Sequence, residues 1–364
     1  MSVKHVQFEY PPVTASSRFP LEPPPRLVDG AILVLVGLEV LSGLVSLIAG
    51  TPDWWWLFVL HSVGGLSLVI LLFWKLRRVR HRVTRRDRWD GATPVSILLA
   101  VVAVAALVTG IYWTVAGLTW VGPWTLLTVH MILGILVVPV LLWHLRHRFR
   151  LPGRRDLQGR RSVLQFGAVL VAGSVVWRIQ ELIAGSSRFT GSKQSGGEGN
   201  EFPVTSWVAD DPDPIDTEAW RLRVTGAVER PRQFSYAELT DQLGASTGEQ
   251  AVLDCTSGWY AERDWQGVRV GELIETAEPT AAADWVRFRS VTGYKWSVPI
   301  EEARDALLAT HVDGERLTHG HGAPLRVVLP GRRGFQWVKW VTSVELTRSQ
   351  DSSQWIAIFV SGFD

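Results

Sequence analysis

The chain has 364 residues, of which 47% are apolar, 20% are charged and 19 are tryptophans, and its formal net charge is +2. A net charge this small gives no reason to expect a nucleic-acid partner, and we predict none. The single cysteine excludes a disulfide within the chain, so Cys255 is either a buried small side chain or a thiol with a chemical function.

The first 30 residues are polar and rich in proline, and they contain no cleavable signal peptide. We predict a disordered cytoplasmic arm over 1–30. Five apolar runs follow, each of a length that crosses a bilayer, at about 20 residues per helix. The sequence therefore predicts five transmembrane helices, at 31–50, 54–74, 95–115, 124–143 and 163–184.

Basic residues are concentrated in two loops of this half. Residues 75–88 contain eight Lys or Arg and residues 145–161 contain seven, whereas 51–53 and 116–123 contain none. The positive-inside bias places both basic loops and the N-terminus in the cytoplasm. We therefore predict a multi-pass protein of a prokaryotic cell membrane whose C-terminal domain is extracytoplasmic.

Arg160 and Arg161 directly precede the fifth apolar run. This pattern resembles a twin-arginine export signal, which is read by a pathway that moves folded proteins. Two further positive-inside arginines would give the same pattern. A domain that must acquire its cofactor before export favours the signal.

The membrane half contains a repeat with an offset of 69 residues, in which 54–78 aligns with 123–147 and His61 falls on His130. The repeated unit is a helical hairpin, and two hairpins make a four-helix bundle. Two imidazoles at equal depth on duplicated helices can ligate one iron from opposite sides, as in bis-histidine b-type cytochromes, which this half resembles in general form. We predict one haem b, with His61 and His130 as metal ligands. The alternative is that each histidine only hydrogen-bonds a neighbouring helix.

Residues 185–201 are rich in Gly and Ser and predict a flexible linker. Residues 202–364 mix short alternating segments with helical ones, which is an α+β pattern for one compact domain. The predicted architecture is thus a five-helix transmembrane bundle over 31–184, followed by a mixed α+β domain.

Six blocks occur in order in this second domain. They are FPVTSW (202–207), WRLRVTGAVERP (220–231), LDCTSGW (253–259), WQGVRVGELI (265–274), TGYKWSVPIEEA (292–303) and HGAPLRVVLPGRRGFQWVKWVTSVEL (321–346). Together they resemble the sulfite oxidase type of molybdopterin-binding domain. In length and placement the domain is more similar to the catalytic subunits of methionine sulfoxide reductases. It departs from sulfite oxidases where Thr205, Ser206 and Trp207 replace their Arg-Asn-His stretch.

The resemblance implies a molybdenum-molybdopterin cofactor, with Cys255 as the protein sulfur on the metal, and a soft thiolate suits such a metal. It implies that His321, Arg326 and Lys339 bind the pterin phosphate, for which cationic and forked donors are suited. Arg326 paired with a local carboxylate and Lys339 as a surface strand residue remain the alternatives.

Two further sets of residues flank these blocks. Gly331 and Gly334 would let the backbone approach the cofactor. We take four neighbours of the cofactor blocks as candidate catalytic pocket residues: Trp259, Tyr260, Arg332 and Arg333.

These inferences predict a membrane-bound molybdenum-dependent oxidoreductase. It would transfer an oxygen atom, as in sulfoxide reduction or sulfite-type oxidation, on a small-molecule substrate. Electrons would pass through the membrane haem to or from the quinone pool or another redox protein. Two alternatives remain open: a haem-only membrane cytochrome whose C-terminal domain is inactive, and an anchored binding protein on a structural bundle.

Overall fold

A computed structural model describes residues 22–148, 160–184, 187–206, 210–244 and 247–362 of the protein. Its N-terminal half consists of five long helices: α1 Pro25–Ser46, α2 Trp55–Thr84, α3 Thr93–Ala116, α4 Leu126–Arg148 and α5 Arg160–Ile183. All five contain a segment long and apolar enough to cross a membrane. The five predicted apolar helices are confirmed as helices, and their crossing of a membrane stays a prediction.

The helix ends differ from the predicted ends. α1 begins at Pro25, because proline is favoured in the first turn of a helix, where its missing N–H costs nothing. Asp29 in this first part accepts from Lys75 at 2.8 Å and from Arg78 at 2.7 Å. The predicted disordered arm is therefore wrong for 25–30, and residues 1–21 of it lie outside the described residues.

The helices pair as the repeat predicts. α1 packs on α2 and α3 packs on α4, each as a hairpin, and α5 packs along α2. Gly173 allows α5 to lie close to α2, because a Cβ at this position would lie 2.6 Å from Oγ of Ser67. The turn between α3 and α4 contains a small hairpin of β1 Trp120–Val121 and β2 Trp124–Thr125.

The C-terminal half is a mixed α+β domain, as predicted. Its strands are β3 Lys193–Gln194, β4 Arg221–Gly226, β5 Arg232–Ser235, β6 Thr247–Asp254, β7 Trp259–Arg269, β8 Trp285–Ser290, β9 Lys295–Pro299, β10 Leu307–Val312, β11 Glu315–Arg316, β12 Arg326–Val328 and β13 Val341–Thr347. Its helices are α6 Val270–Thr276, α7 Ile300–Asp305 and α8 Gln354–Val360.

These strands form two sheets. The first has the order β11-β10-β7-β3, with β12 added on β10 and β6 on β7, and the second has the order β5-β4-β13-β8-β9. Burial alternates along strands such as β4 and β7, so each presents one face to a shared core. Large aromatic side chains fill that core, among them Trp259, Trp265, Trp337 and Phe288.

The segment predicted as a flexible linker is ordered over its described part. β3 pairs in parallel with β7, Lys193 opposite Trp259, and the buried Ser192 donates to Asp254 at 2.7 Å. Three of its glycines adopt positive φ, namely Gly191, Gly196 and Gly199. The glycine content serves tight turns rather than flexibility, because only glycine adopts such angles without strain.

The two halves are in direct contact. Thr125 Oγ1 donates to the Ser257 carbonyl at 2.6 Å, and the Trp113 indole N–H donates to the Gly191 carbonyl at 3.2 Å. A Cβ added at Gly50 would lie 2.2 Å from the carbonyl oxygen of Gly331. The C-terminal domain is therefore seated on the loops that join α1 to α2 and α3 to α4.

Candidate cofactor site

Cys255 occupies the turn of the β6–β7 hairpin. The last pair of the ladder is Asp254 opposite Tyr260. Four residues, 255–258, form the turn between the end of β6 and the start of β7. Within it the Cys255 N–H donates to the Trp259 carbonyl at 2.9 Å, and the Gly258 N–H donates to the Cys255 carbonyl at 3.0 Å. The turn needs a glycine at its last position, since Gly258 has φ +93°.

The sulfur is buried and lies among donors. Cys255 is 7% exposed, Thr205 Oγ1 lies 3.3 Å from Sγ, and the Ser257 N–H lies 3.5 Å from Sγ. Among the described residues no cluster of three His, Cys, Asp or Glu suits a metal ion. A metal at Cys255 would therefore take its other ligands from a cofactor.

A cavity opens beside this turn. Its lining residues are Pro203, Val204, Thr205, Trp259, Gly320, His321, Arg326 and Lys339. The structure thus brings together four residues that the sequence singled out, and Thr205 joins them to the sulfur. Thr205 itself was noted in the sequence only for a departure from a family pattern.

The cavity wall carries buried positive charge. Arg326 is 4% exposed, and burial lowers its pKa to about 10. Burial also lowers the pKa of Lys339 to about 7, helped by the neighbouring Arg326. Within the described ranges, the buried Nε of Arg326 has no hydrogen-bond partner. Two cations that lose this much hydration suit an anionic ligand, because the anion would restore the favourable charge interaction.

His321 plays a different part from these cations. Its Nδ1 lies 2.7 Å from Thr318 Oγ1 and its Nε2 lies 2.9 Å from the Phe202 carbonyl, so both nitrogens are engaged by protein groups. Burial lowers its pKa to about 4, so the ring is neutral at physiological pH. The ring lines the cavity, and the backbone carbonyl of His321 accepts from the Arg326 guanidinium at 3.0 Å.

Arg333 lies behind the cysteine rather than in the cavity. Its guanidinium pairs with Asp254 at 2.8 Å, and its Nη2 donates to the Cys255 carbonyl at 3.2 Å. Asp254 also accepts from Arg188, Thr190 and Ser192 at 3.0, 2.9 and 2.7 Å. Asp254 directly precedes the cysteine, but it is not among the residues predicted from the sequence. Together these groups form a buried support for the turn.

The remaining candidates lie farther from the cavity. Arg332 makes two hydrogen bonds to Glu302, at 2.6 and 2.5 Å, and Gly331 contacts the Gly50 loop of the bundle. Tyr260 belongs to β7 and pairs with Asp254 of β6. The Arg188 guanidinium lies over its ring, 5.7 Å from the ring centroid. Gly334 lies close to the turn, since a Cβ there would be 3.2 Å from Cα of Cys255.

His61 and His130 face each other inside the bundle. Their ring centroids are 6.1 Å apart with the planes at 90°. Nδ1 of His61 lies 2.9 Å from Ser42 Oγ and 3.0 Å from a Glu39 carboxylate oxygen, and Nδ1 of His130 lies 2.8 Å from the Ala106 carbonyl. Metal-binding histidines in proteins are held through the other ring nitrogen in this way. His61 and His130 are the residues that would hold a haem here.

Comparisons with known proteins concern the C-terminal domain. Residues 209–355 match the family described as the oxidoreductase molybdopterin binding domain. Two protein-methionine-sulfoxide reductase catalytic subunits MsrP, from Xanthomonas campestris and Xanthomonas axonopodis, are each 31% identical over 155 and 153 residues, which is 37% of this chain and 47% of each relative. The chain spans about half the length of these relatives. The uncharacterized oxidoreductase YuiH of Bacillus subtilis is 29% identical over 42% of this chain and 78% of its own length.

One solved structure also matches, the sulfane dehydrogenase SoxCD from Paracoccus pantotrophus. Its identity is 25% and its TM-score 0.37, over 39% of this chain and 41% of that chain. The residues that match the family model, 209–355, include Cys255.

Proposed function

We propose that this protein is a membrane-anchored molybdoenzyme that transfers an oxygen atom to or from a sulfur compound, because residues 209–355 match the oxidoreductase molybdopterin binding domain. One observation carries the proposal: the cavity beside the only cysteine is lined by the buried Arg326 and the partly buried Lys339. An anionic pterin cofactor accounts for both features, since its phosphate suits the cations and its metal suits the sulfur.

The chain's own residues have separate tasks in this scheme. Cys255 would hold the metal, and Thr205 Oγ1 and the Ser257 N–H lie 3.3 and 3.5 Å from its sulfur. Arg326 and Lys339 would bind the phosphate, and the buried indole N–H of Trp259, which has no partner among the described residues, is a further donor toward the cavity. When bound, the molybdenum cofactor supplies the two-electron chemistry, and the protein supplies position and charge.

Sulfoxides are the substrate class to test first, because two relatives are named for sulfoxide reduction. The reaction balances when the sulfoxide takes up two electrons and two protons, which breaks its S–O bond and releases a sulfide and water. A membrane quinol would supply the electrons. Oxidation of a sulfite-like compound runs in the opposite sense, and assays with both substrate classes decide the direction.

The molybdenum proposal is tested on purified full-length protein from molybdate-supplied cells. We expect stoichiometric molybdenum and pterin, and sulfoxide turnover with a dye as the electron donor. Cys255→Ser should lose that turnover, while its circular dichroism spectrum shows that the fold is retained. Thr256→Ala, in the same turn, is the matched control and keeps turnover. Protein without molybdenum, or an active Cys255→Ser variant, would contradict the proposal.

We further propose a haem b between His61 and His130, through which the electrons pass. Support comes from the 6.1 Å between the ring centroids, which suits two nitrogens that each lie about 2 Å from one metal. We expect a b-type reduced-minus-oxidised spectrum that disappears in His61→Ala and in His130→Ala. His147→Ala, at the exposed end of α4, retains it. A wild-type spectrum without haem bands would remove this part and leave the molybdenum proposal intact.

We propose that the C-terminal domain is extracytoplasmic and is exported by the twin-arginine pathway. The uneven distribution of basic loops supports the orientation. Changing Arg160 and Arg161 to Lys should retain the domain in the cytoplasm, as measured by protease protection in spheroplasts. The same change at Arg154 and Arg155, which lie outside the described residues, is the control and leaves export unchanged. Equal export of both variants would rule out the signal.

A further inference from the structure

The turn that carries Cys255 is packed directly against the helix bundle. A Cβ added at Gly258 would lie 2.4 Å from Cζ2 of Trp113 and 2.7 Å from Cδ2 of Leu127. Trp113 is 3% exposed, and its indole N–H donates to the Gly191 carbonyl of the segment that pairs with β7. The indole of Trp113 is therefore enclosed between α3 and the cysteine turn.

The same helix contacts His130 one turn away from Trp113. A Cβ added at Gly110 would lie 2.9 Å from Cε1 of His130, and the Ala106 carbonyl lies 2.8 Å from Nδ1 of that ring. Residues three and four positions apart lie on one helix face. Gly110 and Trp113 therefore present one continuous face of α3, with the histidine at one end and the cysteine turn at the other.

Two further contacts hold this arrangement in place. Thr125, five residues before His130, donates to the Ser257 carbonyl at 2.6 Å. The buried ammonium of Lys193 donates to the Thr114 carbonyl at 3.1 Å, at the C-terminal end of α3, where a cation is stabilised by the helix dipole. The cysteine turn is thus fixed to both α3 and α4.

We propose that Trp113 is the bridging residue through which electrons pass between the centre at Cys255 and the porphyrin site at His130. This inference rests on the proposed function. Each reduction of a sulfoxide needs two electrons, so two successive one-electron transfers cross this contact, each from a haem that a membrane quinol has reduced. The indole of Trp113 contacts the cysteine turn. It belongs to α3, the helix whose Ala106 carbonyl lies beside Nδ1 of His130.

The test compares two substitutions of similar size, Trp113→Phe and Trp113→Leu, in the full-length enzyme with both cofactors in lipid nanodiscs. The haem is first reduced, a sulfoxide is added, and reoxidation is followed at the haem absorption band. Turnover with a soluble dye donor reports the molybdenum site alone. Hydrogen exchange of the amides of 255–260 reports whether the turn stays docked. Trp120→Leu, an exposed tryptophan near the same end of the bundle, is the control.

We expect haem reoxidation in Trp113→Leu to be slower than in the wild type, since this substitution removes the aromatic ring that contacts the cysteine turn. Trp113→Phe keeps an aromatic ring and should lie between the two. Dye-driven turnover and amide protection should match the wild type in both variants.

Equal reoxidation rates in Trp113→Phe and Trp113→Leu would overturn the inference, whether both equal the wild type or both are slow, because only the ring distinguishes these variants. A wild-type enzyme with dye-driven turnover but no haem reoxidation overturns the bridge and leaves the molybdenum function standing. Absence of dye-driven turnover in the wild type removes the proposed function, and the bridge with it.

Discussion

The buried ion pair behind the cysteine offers a sharp test of how the turn is held. Asp254 is 2% exposed and Arg333 is 4% exposed, with 2.8 Å between carboxylate and guanidinium. In Asp254→Asn the size of the side chain is preserved and its charge is lost. The new amide can still accept hydrogen bonds through one oxygen, but its NH₂ group faces donors of Arg188, Thr190 and Ser192.

The expected cost is large because the substitution leaves a buried cation without its partner. Breaking a buried pair in this way destabilises proteins by about 3–5 kcal/mol. Arg333→Met should cost less, since Asp254 keeps its bond to Arg188, whose side chain is 23% exposed. The double variant Asp254→Asn with Arg333→Met removes the buried cation, so its loss of stability should be smaller than the sum of the two single losses by a coupling energy of about 1–3 kcal/mol.

Thermal unfolding of the full-length protein in detergent, followed by tryptophan fluorescence, measures these differences. About 3–5 kcal/mol corresponds to a lowering of Tm by about 6–20 °C for a domain of this size. The reasoning is refuted if Asp254→Asn unfolds within about 2 °C of the wild type, or if the loss of stability in the double variant equals the sum of the two single losses. Molybdenum content should fall in parallel, because Arg333 also holds the Cys255 carbonyl.

Three further predictions concern other parts of the molecule. Burial lowers the pKa of Lys339 from 10.5 to about 7. Between pH 7 and 10.5 this lysine is therefore protonated in the unfolded chain and deprotonated in the folded one. The stability of cofactor-free protein should rise with pH across that window, by at most about 1.4 kcal/mol per pH unit. Lys339→Met should flatten the profile of Tm against pH there, and an unchanged slope would show that this lysine is hydrated. Gly258→Ala should lower the stability by more than the backbone cost of about 1–2 kcal/mol, because the new Cβ would also push the cysteine turn away from Trp113. Gly293→Ala, at φ +81° with no atom within 4 Å of the new Cβ, should show the backbone cost alone. Equal hydrogen exchange of 187–193 in these two glycine variants would contradict the docking. Glu302→Gln breaks an ion pair whose side chains are 33% and 31% exposed, so Tm should change by less than about 4 °C, and a shift as large as that of Asp254→Asn would contradict this.

Several features could be predicted from the sequence because they depend on local pattern. The apolar runs predict the five helices, the repeat predicts the pairing of hairpins, and the ordered blocks predict a molybdopterin-binding domain. Cys255, His321, Arg326 and Lys339 belong to those blocks, and the structure places three of them around one cavity beside the fourth. Such signals lie within short stretches of chain.

The errors of prediction have physical reasons. The glycines and serines of 187–201 predicted a flexible linker, yet the same residues permit positive φ angles and small buried donors, and composition does not separate the two uses. Arg332 and Arg333 are adjacent in sequence, but one pairs with Glu302 near the surface and the other with the buried Asp254. Which arginine lies near the cysteine depends on partners 30 to 80 positions away, which the sequence does not identify.

The contact between the two halves shows most clearly what lies beyond sequence patterns. Thr125 and Ser257 are 132 positions apart, and the closest approaches occur at Gly50, Gly258 and Gly331, which have no side chain to mark an interface. A glycine allows backbone to pack against a facing group at a distance that any Cβ would prevent. Three such approaches fit a domain that stays seated, because a domain that swings free would gain nothing from them. In the proposed function, electron exchange in a seated domain would depend on side chains enclosed at the contact, and Trp113, which is 3% exposed, is one of them.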